Sequence, residues 1–411
     1  MKYIILICDG AADWPIEELG NKTIFEATNT PYLDKLANIG RMGLLKTIPD
    51  GMKPGSECAN MSIMGYSPER DLTGRGPLEA LSAGVNLSKT DIAFRCNLIT
   101  IEKDLIKDHS SGHITTKEGS SLINFIQSQL KEDGIDFFPG VQYRHIIRLD
   151  GNKYSEEIDT TPPHDVLDQK YREFLPKPKD FNDEKAKMTV AKIIRLIEQS
   201  NNLLINHEIN KKRQEIGKRM ATHIFPWGGG KKPNIKPFNQ KYGINGSVIS
   251  AVDLIFGIGI AAGLEPIHVE GATGLPDTNY KGKVNAAINE LKKKDFVYLH
   301  IEAIDEMAHT GNFKRKSEAL KDFDQFIIKP IIEAEDMFNQ ELSIAILPDH
   351  PTPCKIRTHS KDPVPFVIYN PQKPNSRNLR SFSEKNAAEG EYGLIENGED
   401  FMNLFIDKSK F

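Results

Sequence analysis

Asp9 stands directly behind an apolar run at residues 3–8, and two further runs, 296–301 and 344–347, are each followed within a few residues by an acid and an imidazole: Asp305 with His309, and Asp349 with His350. His359 comes shortly before a fourth run at 364–369. Carboxylate and imidazole together are the ligand set of Mn²⁺, Zn²⁺ and related divalent ions. Asp305 and His309 are spaced i, i+4, so a helical turn puts both on one face. Asp349 and His350 are adjacent and can diverge toward two ions. A set this large exceeds what one tetrahedral zinc takes. It suits a two-metal site, which clamps the attacking and leaving oxygens in phosphoryl transfer. Taken singly, each residue also has a plainer use, since an Asp after a strand commonly caps a helix or forms a turn.

The second chemical element is PGSECANMSIMGY, residues 54–66. Pro54-Gly55 makes a turn, and Ser56 falls where a helix begins, with Ala59, Ile63 and Met64 on its inward face. A serine there serves as an ordinary N-cap. The same position also offers backbone N–H groups and the positive end of the helix dipole to a phosphate. A metal at the hydroxyl would make it a nucleophile. Gly228-Gly229-Gly230 before Lys231 and Lys232 does not match the spacing of a nucleotide-binding loop, and reads as a plain linker ahead of a flexible hinge or phosphate-proximal loop.

These residues need elements to hold them. Runs 3–8, 296–301, 344–347 and 364–369 have the unbroken apolar character of strands buried on both faces. Thr30-Pro31 opens a helix as N-cap and first helical residue, and Gly40 stops it. Val284, Ala287, Ile288 and Leu291 share a helix face before the second run. Strand–helix alternation at both ends of the chain predicts one α/β sheet built from both termini. Its strands would deliver the acid and histidine residues to one edge, although about 340 residues separate Asp9 from His350. In the middle, 93–101 and 142–149 read as strands around a helix at 117–130. The charged, proline-containing stretches 169–187 and 225–241 read as loops or linkers. The expected domains are therefore 1–87 with 241–411, a metal-binding phosphotransfer core, and an inserted domain at 88–240.

Bulk properties exclude other classes. The 411 residues carry Lys+Arg 53 against Asp+Glu 57, so no basic excess points to nucleic acid. The composition, 39% apolar and 27% charged, is that of a globular protein. No stretch approaches membrane-spanning length, and the apolar run in MKYIILICDG is too short for a signal peptide. The four cysteines form no C-x-x-C pair, and a reducing cytoplasm is the expected location.

A series of segments in order sharpens this: ICDGAAD at 7–13, PGSECANMSIMGYSP at 54–68, GRGPLEA at 74–80, AFRCNLIT at 93–100, SSGHI at 110–114, YRH at 143–145, PPHD at 162–165, SAVDLI at 250–255, EGATGLPDTNYKGK at 270–283, HIEAIDEMAH at 300–309 and, further on, LPDHPTP and THSKDPVPF. Together they resemble the archaeal-type 2,3-bisphosphoglycerate-independent phosphoglycerate mutases of the alkaline phosphatase superfamily. The resemblance implies an alkaline-phosphatase-like three-layer αβα core with an inserted α/β domain. It implies that Ser56 carries the phosphate, that Asp9, Ser56, Asp349 and His350 hold one metal, and that Asp305, His309 and His359 hold a second. Mn²⁺ is the expected ion, with Zn²⁺, Co²⁺ and Mg²⁺ as alternatives, and 2,3-bisphosphoglycerate is not required. The substrate would be small and phosphorylated, 3-phosphoglycerate or 2-phosphoglycerate, held in part by His113, Arg95, Arg144 and Arg213 of the insert. Phe256 departs from the pattern, since a basic residue often follows SAVDLI in the family. A proposed homoserine kinase subgroup shares EGATGLPDTNYKGK and PDHPTPC, so a kinase on the same scaffold is an alternative, as is a metal-dependent phosphatase.

Overall fold

The side chains of KYIILIC alternate between two apolar surfaces, as a strand covered on both faces requires. Ile4, Leu6 and Cys8 enter a core shared with helices Pro31–Ile39, Tyr280–Lys293 and Phe313–Phe323. On the opposite face Tyr3 meets Phe405 of helix Gly398–Ile406, ring centroids 5.5 Å apart. In this computed structural model, which describes residues 1–375 and 380–406, the Lys2–Cys8 strand lies inside an eight-stranded sheet. It pairs in parallel with Phe296–Ile301 on one side and Leu342–Leu347 on the other. Gly246–Ile249 and Glu265–Ile267 continue the parallel set past Phe296–Ile301. On the other side Val364–Tyr369 adds antiparallel, followed by Arg41–Leu45 and Leu394–Ile395. Helices on both faces make this a three-layer α/β core.

Strand direction decides what reaches the carboxyl edge. Lys2–Cys8, Phe296–Ile301 and Leu342–Leu347 all end there, which delivers Asp9, Asp305 and Asp349. Val364–Tyr369 runs the other way, so the residues before it, His359 among them, arrive at the same edge. Arg41–Leu45 is antiparallel to Val364–Tyr369 and again ends at this edge, from which the chain proceeds to Ser56.

Helix Pro31–Ile39 is not capped by Thr30, whose side chain makes no capping bond. Asp324, at the start of a π-helical turn, takes that role from a distance: its carboxylate accepts from Leu33 N at 2.8 Å and Tyr32 N at 3.4 Å. A long-range cap of this kind has no local sequence signature.

The chain divides into two compact units, Met1–Leu72 with Asn234–Phe411, and Thr73–Pro233. The division at 72/73 precedes the expected 87/88 because residues 73–87 carry helix Arg75–Ser82. Ala80, Val85 and Leu87 share an apolar cluster with Ala93 and Ile146 of the second unit's sheet. That sheet is antiparallel and built on Ile92–Glu102, which pairs with Leu105–Asp108, Arg144–Leu149 and His223–Lys231; Ile135–Phe138 adds beyond Arg144–Leu149. Helix Thr116–Leu130 opens with a capping box between Thr115 and Glu118. The stretch 169–187 is broken into short pieces, a 3-10 turn at Tyr171–Phe174 and strand Lys177–Pro178, before helix Glu184–Leu204 begins inside it.

The reading of 225–241 as a linker fails over its first half, because His223–Lys231 is a largely buried strand. Gly228–Gly230 belongs to that strand and is no hinge. Gly229 is there for close approach: a β-carbon on it would overlap the Phe94 ring. Gly229→Ala is therefore expected to destabilise the protein by about 1–3 kcal/mol through overpacking, measured as a lowered denaturation midpoint. A linker glycine would tolerate the change without loss.

Candidate metal centre

The residues expected at the carboxyl edge lie together in the first unit. Ser56 is the first residue of helix Ser56–Ile63; Gly55 occupies the N-cap position and no side chain caps the helix. The Ser56 hydroxyl is thus free of capping duty, and its Oγ lies 3.1 Å from His350 Nε2. His350 Nε2 is also 3.8 Å from Asp9 Oδ1 and 3.4 Å from Asp349 Oδ2. Next to them, Asp305 Oδ2 lies 3.0 Å from His309 Nε2 and 3.8 Å from His359 Nε2. The two imidazole nitrogens of His309 and His359 are 3.2 Å apart, and the His359 ring stacks on His350 at 3.8 Å.

Hydrogen bonds fix the tautomers. Thr352 Oγ1 donates to Asp305 Oδ1 at 2.5 Å, so the same hydroxyl accepts from His350 Nδ1–H at 3.2 Å. The lone pair of His350 is then on Nε2, facing Ser56 and Asp9. His309 Nδ1–H donates to Arg357 O at 3.0 Å, which turns Nε2 toward Asp305 and His359. Asp349 Oδ1 accepts from the backbone N–H of Gly10 and His350. Gly10 has φ +65°, and a β-carbon there would overlap Asp305 Oδ1.

Ligand atoms within 4.8 Å of one another form three groups: Asp305, His309 and His359; Asp9, Asp305 and His350; Asp9, His300 and Asp349. Asp9 is 2% exposed and its Oδ1 has no hydrogen-bond partner. Buried carboxylates with an orphaned oxygen, next to the lone pair of His350 Nε2 and the imidazoles of His309 and His359, fit divalent cations.

Several contributors lie inside the quoted segments without having been singled out there. Asn60, one turn after Ser56, donates both Nδ2 hydrogens, to Ser56 O at 2.9 Å and Asp349 Oδ2 at 2.8 Å, and accepts from Tyr298 Oη at 2.6 Å. It ties the Ser56 helix to the Asp349 strand end. His300 Nε2 lies 3.0 Å from Asp9 Oδ2, with Nδ1 3.2 Å from Ser250 Oγ. A buried amide on the inward face of a helix was the one signal available for Asn60. Phe256, where a basic residue was expected, is buried against the His268 ring at 4.4 Å.

In the second unit, Arg95 is buried, bonds Glu79 at 2.8 Å and lies over the Trp227 ring at 5.0 Å. Arg75 bonds the same carboxylate oxygen at 2.7 Å. Burial pushes the Arg95 guanidinium down to about 10 against the pull of Glu79. Arg144 lies over the Tyr143 ring, and its buried Nε has no hydrogen-bond partner. His109 and His164 form a ring chain to Trp227, and burial lowers His164 to about 4. His113 is exposed on the loop after Ser111. Arg213 is 1% exposed and donates from every nitrogen inside the unit: to Arg219 O, Glu118, Ser111 O and Gly112 O. It shapes the loop that carries His113.

A family model described as 2,3-bisphosphoglycerate-independent phosphoglycerate mutase matches residues 37–210. A Methanosarcina mazei protein named 2,3-bisphosphoglycerate-independent phosphoglycerate mutase is 48% identical over 408 residues, covering 99% of this chain and 100% of its own. The chain belongs to this mutase family. Two solved structures share its fold. A Pyrococcus horikoshii protein superposes with TM-score 0.83 at 30% identity, over 99% of this chain and 96% of its own. A cofactor-independent phosphoglycerate mutase from Thermoplasma acidophilum gives 0.67 at 25% identity, over 99% of each chain. Among the described residues no helix is long and apolar enough to cross a membrane.

Electrostatics in this member of the mutase family are set by crowding of buried carboxylates. Burial and then the charge of Asp349 raise Asp9 well above the carboxylate range. Burial would do the same to Asp305, but hydrogen bonds from His309 and His359 outweigh it and hold Asp305 well below that range. The hydrogen bond to Asp305 raises His309 to about 9. A cation that took His309 Nε2 as a ligand would have to displace the proton favoured there below that pH. Mn²⁺ affinity is therefore expected to climb as pH rises toward about 9, with proton release seen by calorimetry in buffers of different ionisation heat. Affinity independent of pH over that range would show that no such proton is lost.

Proposed function

We propose that this chain interconverts 3-phosphoglycerate and 2-phosphoglycerate through a phosphoserine at Ser56, without 2,3-bisphosphoglycerate. The observation that carries the reading is the Ser56 hydroxyl at the head of its helix, uncapped and 3.1 Å from a histidine that adjoins Asp9 and Asp349. Full-length relatives bearing that activity's name support it. In this reading Asp9, Ser56, Asp349 and His350 hold one divalent ion and Asp305, His309 and His359 a second, Mn²⁺ being the expected metal. When bound, the ions supply Lewis acidity, lowering the pKa of the Ser56 hydroxyl and neutralising phosphoryl oxygens.

The chain's own residues do the positioning. Asn60 holds the Ser56 turn against Asp349, so Oγ keeps one place relative to the acids. The amino end of the Ser56 helix aims peptide dipoles at the arriving phosphate. Ser56 Oγ forms a bond to phosphorus as the bond to the 3-oxygen of glycerate breaks, and the serine proton ends on that departing oxygen. The 2-hydroxyl of the same glycerate then takes the phosphoryl group, and its proton returns to Ser56. Positioning and charge neutralisation supply most of the acceleration. Arg95, Arg144 and His113 are assigned to the anionic groups of the substrate, with Arg213 holding the His113 loop. A core that binds metal and an insert that binds substrate follow from the same assignment.

The test is formation of 2-phosphoglycerate from 3-phosphoglycerate with added Mn²⁺ and no 2,3-bisphosphoglycerate. Ser56→Ala should lower the rate at least about a thousandfold, while Mn²⁺ still binds, more weakly. Full activity in that variant excludes the phosphoserine route. Phosphate transfer from ATP to homoserine, or release of free phosphate from 3-phosphoglycerate, would point instead to the kinase or the phosphatase.

A further inference from the structure

Helix Tyr280–Lys293 runs back from the carboxyl edge of the sheet before strand Phe296–Ile301, so its first turn stands at the edge where the metal centre lies. Lys283 is in that turn. Its side chain is fully buried, and its Nζ has no hydrogen-bond partner. On the same helix Val284, Ala287 and Leu291 are ordinary core residues. Asn279 caps the helix by accepting from Gly282 N at 2.8 Å.

The ammonium charge acts on two groups of this edge. One is Glu302, the residue directly after the Phe296–Ile301 strand; the other is His300, the imidazole on Asp9. Glu302 in turn adds to the negative field on Asp9. Gly274 lets the segment before the helix close on this group, since a β-carbon there would overlap Glu302 Oε2. Burial lowers Lys283 to about 8, which leaves it mostly charged near neutrality. A buried ammonium without a hydrogen-bond partner is strongly unfavourable. A bound anion would supply the missing acceptors and offset that cost.

We propose that Lys283 is a phosphoryl-contact residue of the Ser56 centre, its ammonium donating to a non-bridging oxygen of the transferring group. The identity of that anion rests on the phosphotransfer reading above. Within EGATGLPDTNYKGK, the turn and the helix cap then serve to deliver Lys283, buried, beside His300 and Glu302.

The test compares Mn²⁺-loaded wild type with Lys283→Met, which keeps the stem and removes the charge. Inorganic phosphate is the probe, titrated by calorimetry, and metal content and thermal midpoint are measured on both proteins. Lys283→Met should bind phosphate at least tenfold more weakly, retain Mn²⁺, and melt close to wild type, because the ammonium removed is desolvated and has no hydrogen-bond acceptor. In the 3-phosphoglycerate assay it should lose kcat/KM. Equal phosphate affinity in the two proteins overturns the proposal, as does a wild type that does not bind phosphate. A variant that sheds Mn²⁺ or melts well below wild type would make Lys283 structural, and also overturns it. If wild type binds phosphate yet does not convert 3-phosphoglycerate, the mutase reading falls while the phosphate comparison still decides the role of Lys283.

Discussion

Burying Asp9, Asp305 and Asp349 beside one another is the constraint on which the rest of this chain depends. Each is at most 5% exposed. Three carboxylates in a low-dielectric pocket repel one another and resist ionisation. The protein answers with imidazoles on Asp305, amide donors on Asp349 and, for Asp9, an oxygen left unpartnered. That unequal treatment separates the groups: Asp305 is held ionised while Asp9 is pushed toward its neutral form. A site arranged this way is poised for cations, and the layer around it, Asn60, Thr352 and His300, serves to hold the acids where cations would meet them.

Much of this centre was legible in the sequence because a parallel sheet writes its strands as unbroken apolar runs and ends them all on one edge. A residue type placed just past several such runs is therefore a statement about space. His359 was legible for the complementary reason, lying just before a run that turned out to be antiparallel. Asn60 and Thr352 were not, because each is defined by partners far away in sequence: Asp349 for Asn60 and Asp305 for Thr352. The capping of helix Pro31–Ile39 by Asp324 is the same case, since Thr30-Pro31 has the local signature and a residue nearly three hundred positions on does the work.

The second unit was harder to read. Strand His223–Lys231 contains Pro226 and three consecutive glycines, a composition that marks loops elsewhere. It tolerates the proline because it pairs with a single neighbour, Ile92–Glu102. Its glycines make room for a ring and a backbone rather than for motion. The arginines were recognisable as types but not as roles. Arg213, with every nitrogen used internally, and Arg144, with an orphaned Nε, look alike in sequence and differ only in what surrounds them.

The first unit is discontinuous, made from the two ends of the chain, whereas the second is one uninterrupted stretch. During synthesis, Thr73–Pro233 can close its own core while Asp9 and Ser56 are still waiting for their neighbours. The centre strand Lys2–Cys8 gains both parallel partners only when Leu342–Leu347 has emerged, and the last imidazole of the site follows at His359. Long-range pairing of this kind is slow to form. In the proposed reading, completion of the centre is thus a late event in the life of each molecule, and a chain cut short before residue 359 would lack the last of its imidazoles.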